Sequence, residues 1–129
     1  MQELSTTTNF HLHYDPLHQC LVAQWVGRQS ATSIRAHCVA MLTEVQRTGC
    51  PRILNDSSQD LDGWSNLVDW LATDYSRQLA AHGVRAVAWV LPRHLPAQID
   101  ARQVARAVAQ PVTDVFADVE AASQWLQQF

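Results

Sequence analysis

The residues best placed to do chemistry are Asp56-Ser57-Ser58, which directly follow the apolar run Arg52-Ile53-Leu54-Asn55. An acidic stretch, Gln59-Asp60-Leu61-Asp62-Gly63, then leads into an amphipathic segment. Hydroxyls beside a carboxylate at the carboxyl end of a strand suit an anion contact or a phosphoacceptor. Charge added there, at a helix N-terminus, changes how a partner binds. The same three residues also fit an Asx-turn, with the serine hydroxyls satisfying backbone donors at the strand exit. Spacing alone leaves both readings open.

Other combinations are weaker. His11 and His13 share a strand face, with His18 in the adjoining turn, but no Cys or carboxylate stands at ligand spacing beside them. An exposed sheet face explains them and no metal site is expected. A Ser–His–Asp set can be written from Ser57, His82 or His94, and Asp60 or Asp62, yet no GxSxG elbow is present. No catalytic residue is assigned, and the chain is read as a non-enzyme. All nine basic residues are Arg, which removes a Walker lysine and a Schiff-base lysine. None of the four glycines belongs to a phosphate-cradling loop, so no cofactor is expected.

At 129 residues, with 47% apolar and 16% charged side chains, the chain is long enough for a single core and too apolar to be disordered. The net charge of −3, without a basic cluster, favours neither nucleic acid nor an anionic membrane surface. No apolar run approaches a membrane span. Cys20, Cys38 and Cys50 are an odd set without CxxC spacing, which suits buried thiols in a reducing cytoplasm.

The elements that must position these residues follow from periodicity. Residues 1–9 read as a polar, frayed leader, and 10–129 as one domain. Phe10–Tyr14 and Cys20–Val26 alternate around Asp15-Pro16, giving a hairpin; aligning Leu12 with Leu21 places Phe10, Leu12, Tyr14, Leu21, Ala23 and Trp25 on one face. Ser30–Thr48 has helical spacing, with Gly49 and Pro51 as its stop. Arg52–Asn55 is a buried strand, and a helix runs from about Ser65 to His82. Val84–Leu91 is the strongest strand. Pro92 and Pro96 bracket a loop, and Ala97–Ala109 forms a thin-faced helix presenting Ile99, Val104 and Val108. Val112–Phe116 is a short strand, and Asp118 caps a last helix. The expected architecture is therefore α/β: a mixed five-stranded sheet in the order β-β-α-β-α-β-α-β-α.

This order, with Tyr14-Asp15, Trp25-Val26-Gly27, Ile53-Leu54-Asn55-Asp56, Asp69-Trp70-Leu71, Gly83–Ala88 and Val115-Phe116-Ala117-Asp118 at their spacings, resembles the SpoIIAA-like (STAS) superfamily. The likeness covers roughly residues 10–129 and is strongest to the stand-alone bacterial STAS-like branch. It implies a regulatory domain. In anti-sigma-factor antagonists of this superfamily a Ser or Thr in an Asp-Ser-Ser-Gly turn is phosphorylated, which points to Ser57 and Ser58; here Gln59 stands where that motif carries Gly.

The function expected is a non-enzymatic, protein-binding regulatory module, with a protein partner or a second copy of the chain as its target. Its contact loops are 55–64 and 91–96, with Asn55, Asp56, Asp60, Asp62, Trp64, Arg93 and His94 as contact residues. Trp64 reads as a surface loop residue that lids a pocket, anchors a partner or packs over the sheet edge. The alternative is a carrier of small apolar ligands of the CRAL-TRIO type, with a cavity left by the Ala-rich third helix.

Overall fold

The computed structural model describes residues 2–62 and 64–129 and, of Ser65, the backbone alone. A six-stranded mixed sheet runs in chain order: β1 (Gln2–Thr6), β2 (Phe10–Asp15), β3 (Cys20–Gly27), β4 (Arg52–Asp60), β5 (Ala86–Val90) and β6 (Val112–Phe116). β1–β2 and β2–β3 are antiparallel, while β3–β4, β4–β5 and β5–β6 are parallel. The general α/β class expected from sequence is present, but the sheet has six strands rather than five. Residues 2–6, read as a frayed leader, form the edge strand β1 against β2. An edge strand can be held by ladder hydrogen bonds with no apolar alternation to announce it.

The hairpin register is two residues from the one expected: Leu12 lies opposite Ala23, and Tyr14 opposite Leu21. Asp15 fixes the turn by accepting the Leu17 backbone N–H at 3.1 Å, and Gln19 takes a positive φ of 49°. A shift of two leaves every side chain on its intended face.

One face of the sheet carries the main core, including Leu12, Leu21, Ile53 and Trp89. Three helical segments cover this inner face. α1 (Ala31–Thr48) starts at a reciprocal capping box between Ser30 and Ser33 and ends at Gly49 in the left-handed conformation. α2 spans 65–81 but is not one regular helix. A 3₁₀ turn (Ser65–Leu67) and a short α stretch (Val68–Trp70) lead into a π-helical turn (Leu71–Tyr75), and α-helix resumes at Ser76–Ala81. The Ser76 hydroxyl donates to Leu71 O at 2.6 Å, helping to satisfy a carbonyl that the wider turn displaces.

α3 (Leu95–Ala107) begins before the expected start, with Pro96 inside its first turn, where a missing N–H breaks no helical bond. Ile99, expected to face inward, is 50% exposed; Ala97, Ala101 and Val104 pack inward instead. Among the described residues the helix on the outer face is α4 (Val119–Leu126), capped by Asp118 accepting the Ala121 N–H at 2.8 Å. α4 packs on β4, β5 and β6, while His11, His13, Val22 and Gln24 of β2 and β3 stay half-buried.

Because Ile53 is fully buried in a central strand, Ile53→Ala should cost about 2–5 kcal/mol through lost apolar contact and a residual cavity. Leu17→Ala, at a position 84% exposed in the hairpin turn, should change stability by less than about 0.5 kcal/mol. Urea melts of the two variants check this.

Candidate functional site

The carboxyl ends of the parallel strands meet the starts of α1, α2 and α3, and here β4 differs most from its sequence reading. It continues to Asp60, so Asp56-Ser57-Ser58 lie within a strand rather than in a turn. Asn55 and Ser57 both point to the inner face, between two tryptophans on the neighbouring strands. Trp25 Nε1 donates to Asn55 Oδ1 at 2.6 Å, and Trp89 Nε1 donates to Ser57 Oγ at 2.7 Å. The Ser57 hydroxyl donates onward to Val90 O at 2.7 Å. Trp64 fills the space between the two indoles, 6.4 Å from the Trp25 ring centroid and 5.0 Å from that of Trp89. Of the roles open to Trp64 in the sequence, packing over the sheet edge is the one the structure shows: it is a core residue, 3% exposed, and not a surface anchor. Its backbone N–H donates to Asp100 Oδ2 at 2.8 Å, tying the loop after β4 to α3. His37 of α1 stacks on Phe10 at 4.2 Å, and burial lowers its pKa.

A bulge follows Asp56. Three steps of β4, from Asp56 to Gln59, match two of β3, from Gln24 to Val26. The extra residue resets the alternation and returns Asp60, opposite Gly27, to the side of Trp25. Asp60 is 1% exposed; its Oδ1 accepts the Asp62 N–H at 3.1 Å, and its Oδ2 has no partner among the described residues. Burial pushes its pKa up to about 7, with the nearby Asp62 charge adding to the rise and the backbone N–H groups of Asp62 and Leu61 opposing it. The Arg28 guanidinium lies 3.5 Å from Asp62 rather than at Asp60.

Beneath the tryptophans, between the sheet and α1–α3, lies an apolar cavity of about 50 Å³, bordered by Met41, Leu71, Tyr75 and Trp89. The Tyr75 hydroxyl is buried beside the Cys38 thiol, which burial pushes to about 12. All three cysteines are free and buried.

The expected contact residues separate into layers. Asn55, Ser57, Asp60 and Trp64 are buried, whereas Asp56 lies on the outer face with one carboxylate oxygen accepting the Ser58 N–H at 3.0 Å. That bond is the Asx geometry anticipated for this triplet, formed inside a bulged strand. Ser58 is half-buried. Asp62 accepts the Gln29 N–H at 2.7 Å, and Gly63 lies outside the described residues. Arg93 and His94 are exposed. Nearby in sequence, and missed in the sequence reading, are the exposed aliphatics Leu61, at 55%, and Leu95, at 64%. Among the described residues no group of three His, Cys, Asp or Glu side chains is arranged to hold a metal ion. His18 instead pairs with Asp15 at 2.7 Å. Asp100 also escaped the sequence reading, since its role comes from Trp64, a neighbour distant in the chain. The chain matches no family model and no curated protein.

Trp64→Ala and Trp89→Ala should each cost about 3–5 kcal/mol, since both remove a buried ring from one cluster. Ser57→Ala strands the Trp89 N–H and should cost about 1–3 kcal/mol. Denaturant melts measure all three. Asp60 holds its proton in the folded state well above the unfolded value of about 3.9. Its stabilising effect is thus complete below about pH 4 and is lost as pH rises towards about 7. The difference in stability between Asp60→Asn and the parent protein should therefore shift in favour of the variant from pH 4 to pH 8. A constant difference across that range would show that Asp60 does not titrate as described.

Proposed function

We propose that the protein is a non-enzymatic, protein-binding module of the STAS-like kind, acting through the surface at the carboxyl edge of its parallel strands. The observation that carries this reading is the exposure of Leu61, in the loop after β4, and of Leu95, at the start of α3, at that edge. The Trp64–Asp100 bond holds the Leu61 loop against the helix whose first turns carry Leu95 and Ile99. Arg93 and His94 supply a polar margin beside them. Aliphatic anchors over a rigid aromatic base, with polar groups at the rim, suit recognition of a protein surface with little reorganisation. The partner is a protein; the negative net charge argues against nucleic acid. Among the described residues no helix is long and apolar enough to cross a membrane. Three free thiols favour a cytoplasmic setting.

Within this reading, a phospho-switch acts through Ser58 rather than Ser57. The Ser57 hydroxyl is shut inside the strand layer, whereas Ser58 stands at the bulge beside Asp56. A carrier of apolar ligands is less well supported: the inner cavity of about 50 Å³ lies far below the roughly 300–1,000 Å³ of ligand sites.

Cross-linked pull-downs from host lysate with the parent protein and with Leu61→Asp/Leu95→Asp test the surface. The double variant should keep its melting temperature, because both positions are exposed, and should lose the proteins that the parent captures. Equal capture by both forms would refute this assignment. A small bound mass in native mass spectrometry of the freshly purified protein would instead favour the carrier.

A further inference from the structure

We propose that the groove between α4 and the open half of the outer sheet face binds a small organic ammonium ion, with Asp56 as its counter-charge. The groove is a separate site from the carboxyl-edge surface. It encloses about 370 Å³, within the roughly 300–1,000 Å³ typical of small-molecule sites. It exists because α4 covers only β4, β5 and β6, leaving a step where β3 emerges from under the helix.

The charge arrangement selects the ligand. Asp56 is 9% exposed, yet among the described residues no Arg or His stands within ion-pair distance of it. One carboxylate oxygen accepts the Ser58 N–H, and the carboxylate lines the groove. Buried carboxylates are ordinarily paired, because desolvation without a counter-ion is costly. Of the basic residues that line the groove, His13, His18 and Arg52, none pairs with Asp56: Arg52 lies four residues back along β4, with Nε donating to Leu126 O and Nη1 to His18 O, each at 3.1 Å, and Nη2 donating to Phe129 O. Asp15, at that same end, already holds His18. The unmet charge is therefore at Asp56.

The surroundings complete the description. Gln24 sits directly across from Asp56 on β3 and offers an amide oxygen as a second acceptor. Val22 and Leu54 form an apolar floor, and Leu126 an apolar wall. A primary ammonium donates three hydrogen bonds, so it can bridge Asp56 and Gln24 while an alkyl or aryl body lies along the floor. A neutral alcohol of the same length leaves the charge unmet, and a carboxylate is repelled.

The test is an amide-resolved NMR titration of the whole chain at pH 8, where unperturbed histidines are neutral. The probes are n-hexylammonium, 1-hexanol and hexanoate. Hexylammonium should give saturable shifts at Val22, Gln24, Leu54 and Ser123, and should bind about tenfold or more tightly than hexanol, as expected for a hydrogen-bonded charge. Asp56→Asn, which retains an acceptor for the Ser58 N–H, should weaken hexylammonium about tenfold and leave hexanol unchanged. Ser123→Trp keeps the carboxylate but fills the groove, so it should abolish the saturable shifts and decides the matter if Asp56→Asn fails to fold. Equal binding of hexylammonium and hexanol, unchanged affinity in either folded variant, or shifts confined to other surfaces would overturn the proposal.

Discussion

β4 runs through the middle of the sheet with Asn55 and Ser57 on its buried face, ahead of the bulge that turns Asp60 inward, and the carboxyl edge depends on how these two are satisfied. Each is met by an indole N–H from a flanking strand, Trp25 on one side and Trp89 on the other. The pairing answers two needs together. A buried indole N–H requires an acceptor, and a buried amide or hydroxyl requires a partner; left alone, each would carry a desolvation penalty. With both met, two large rings stand on neighbouring strands with a gap between them, and Trp64 fills it. The loop after β4 is thereby drawn over the sheet edge, and its backbone bond to Asp100 fixes α3 against it.

The aromatic layer determines what the surface presents. Once Trp64 turns inward, the aliphatic side chains of Leu61, Leu95 and Ile99 are left outside. Since the bulge after Asp56 returns Asp60 to the inner side, the acidic stretch splits between buried and exposed positions instead of forming one acidic patch. The rigid base and its exposed rim are thus consequences of one packing solution, and the same solution removes Ser57 from solvent.

The two sheet faces are unequal for a topological reason. Three parallel crossovers place α1, α2 and α3 on the inner face, and the single remaining helix covers only β4 to β6 on the other. β1 and β2 extend the sheet beyond the reach of α4. The uncovered half carries His11, His13 and Gln24, polar residues suited to a solvated face, next to the unpaired charge of Asp56. α2 shows the same tension on a local scale. Its π turn places Leu71 and Tyr75 inward at the edge of the inner cavity, at the cost of a regular hydrogen-bond ladder that the Ser76 hydroxyl partly repairs.

The sequence by itself determined the features that rest on neighbours in the chain. Period-two runs gave the faces of β2 and β3, with Phe10, Leu12, Ala23 and Trp25 in the core, and continuous burial marked β5. The Asp118 cap and the Gly49 stop were legible because capping acts within a few residues. The tertiary structure alone decided what depends on distant partners. β1 became a strand because β2 offered a free edge. Ile99 turned outward because Ala97, Ala101 and Val104, at i, i+4 and i+7, took the inner face of α3, and β4 ran on through Asp56-Ser57-Ser58 because β3 continued the ladder and a tryptophan could reach Ser57. A serine in a turn and a serine in a bulged strand have the same local chemistry; which one it is depends on an indole thirty-two positions away.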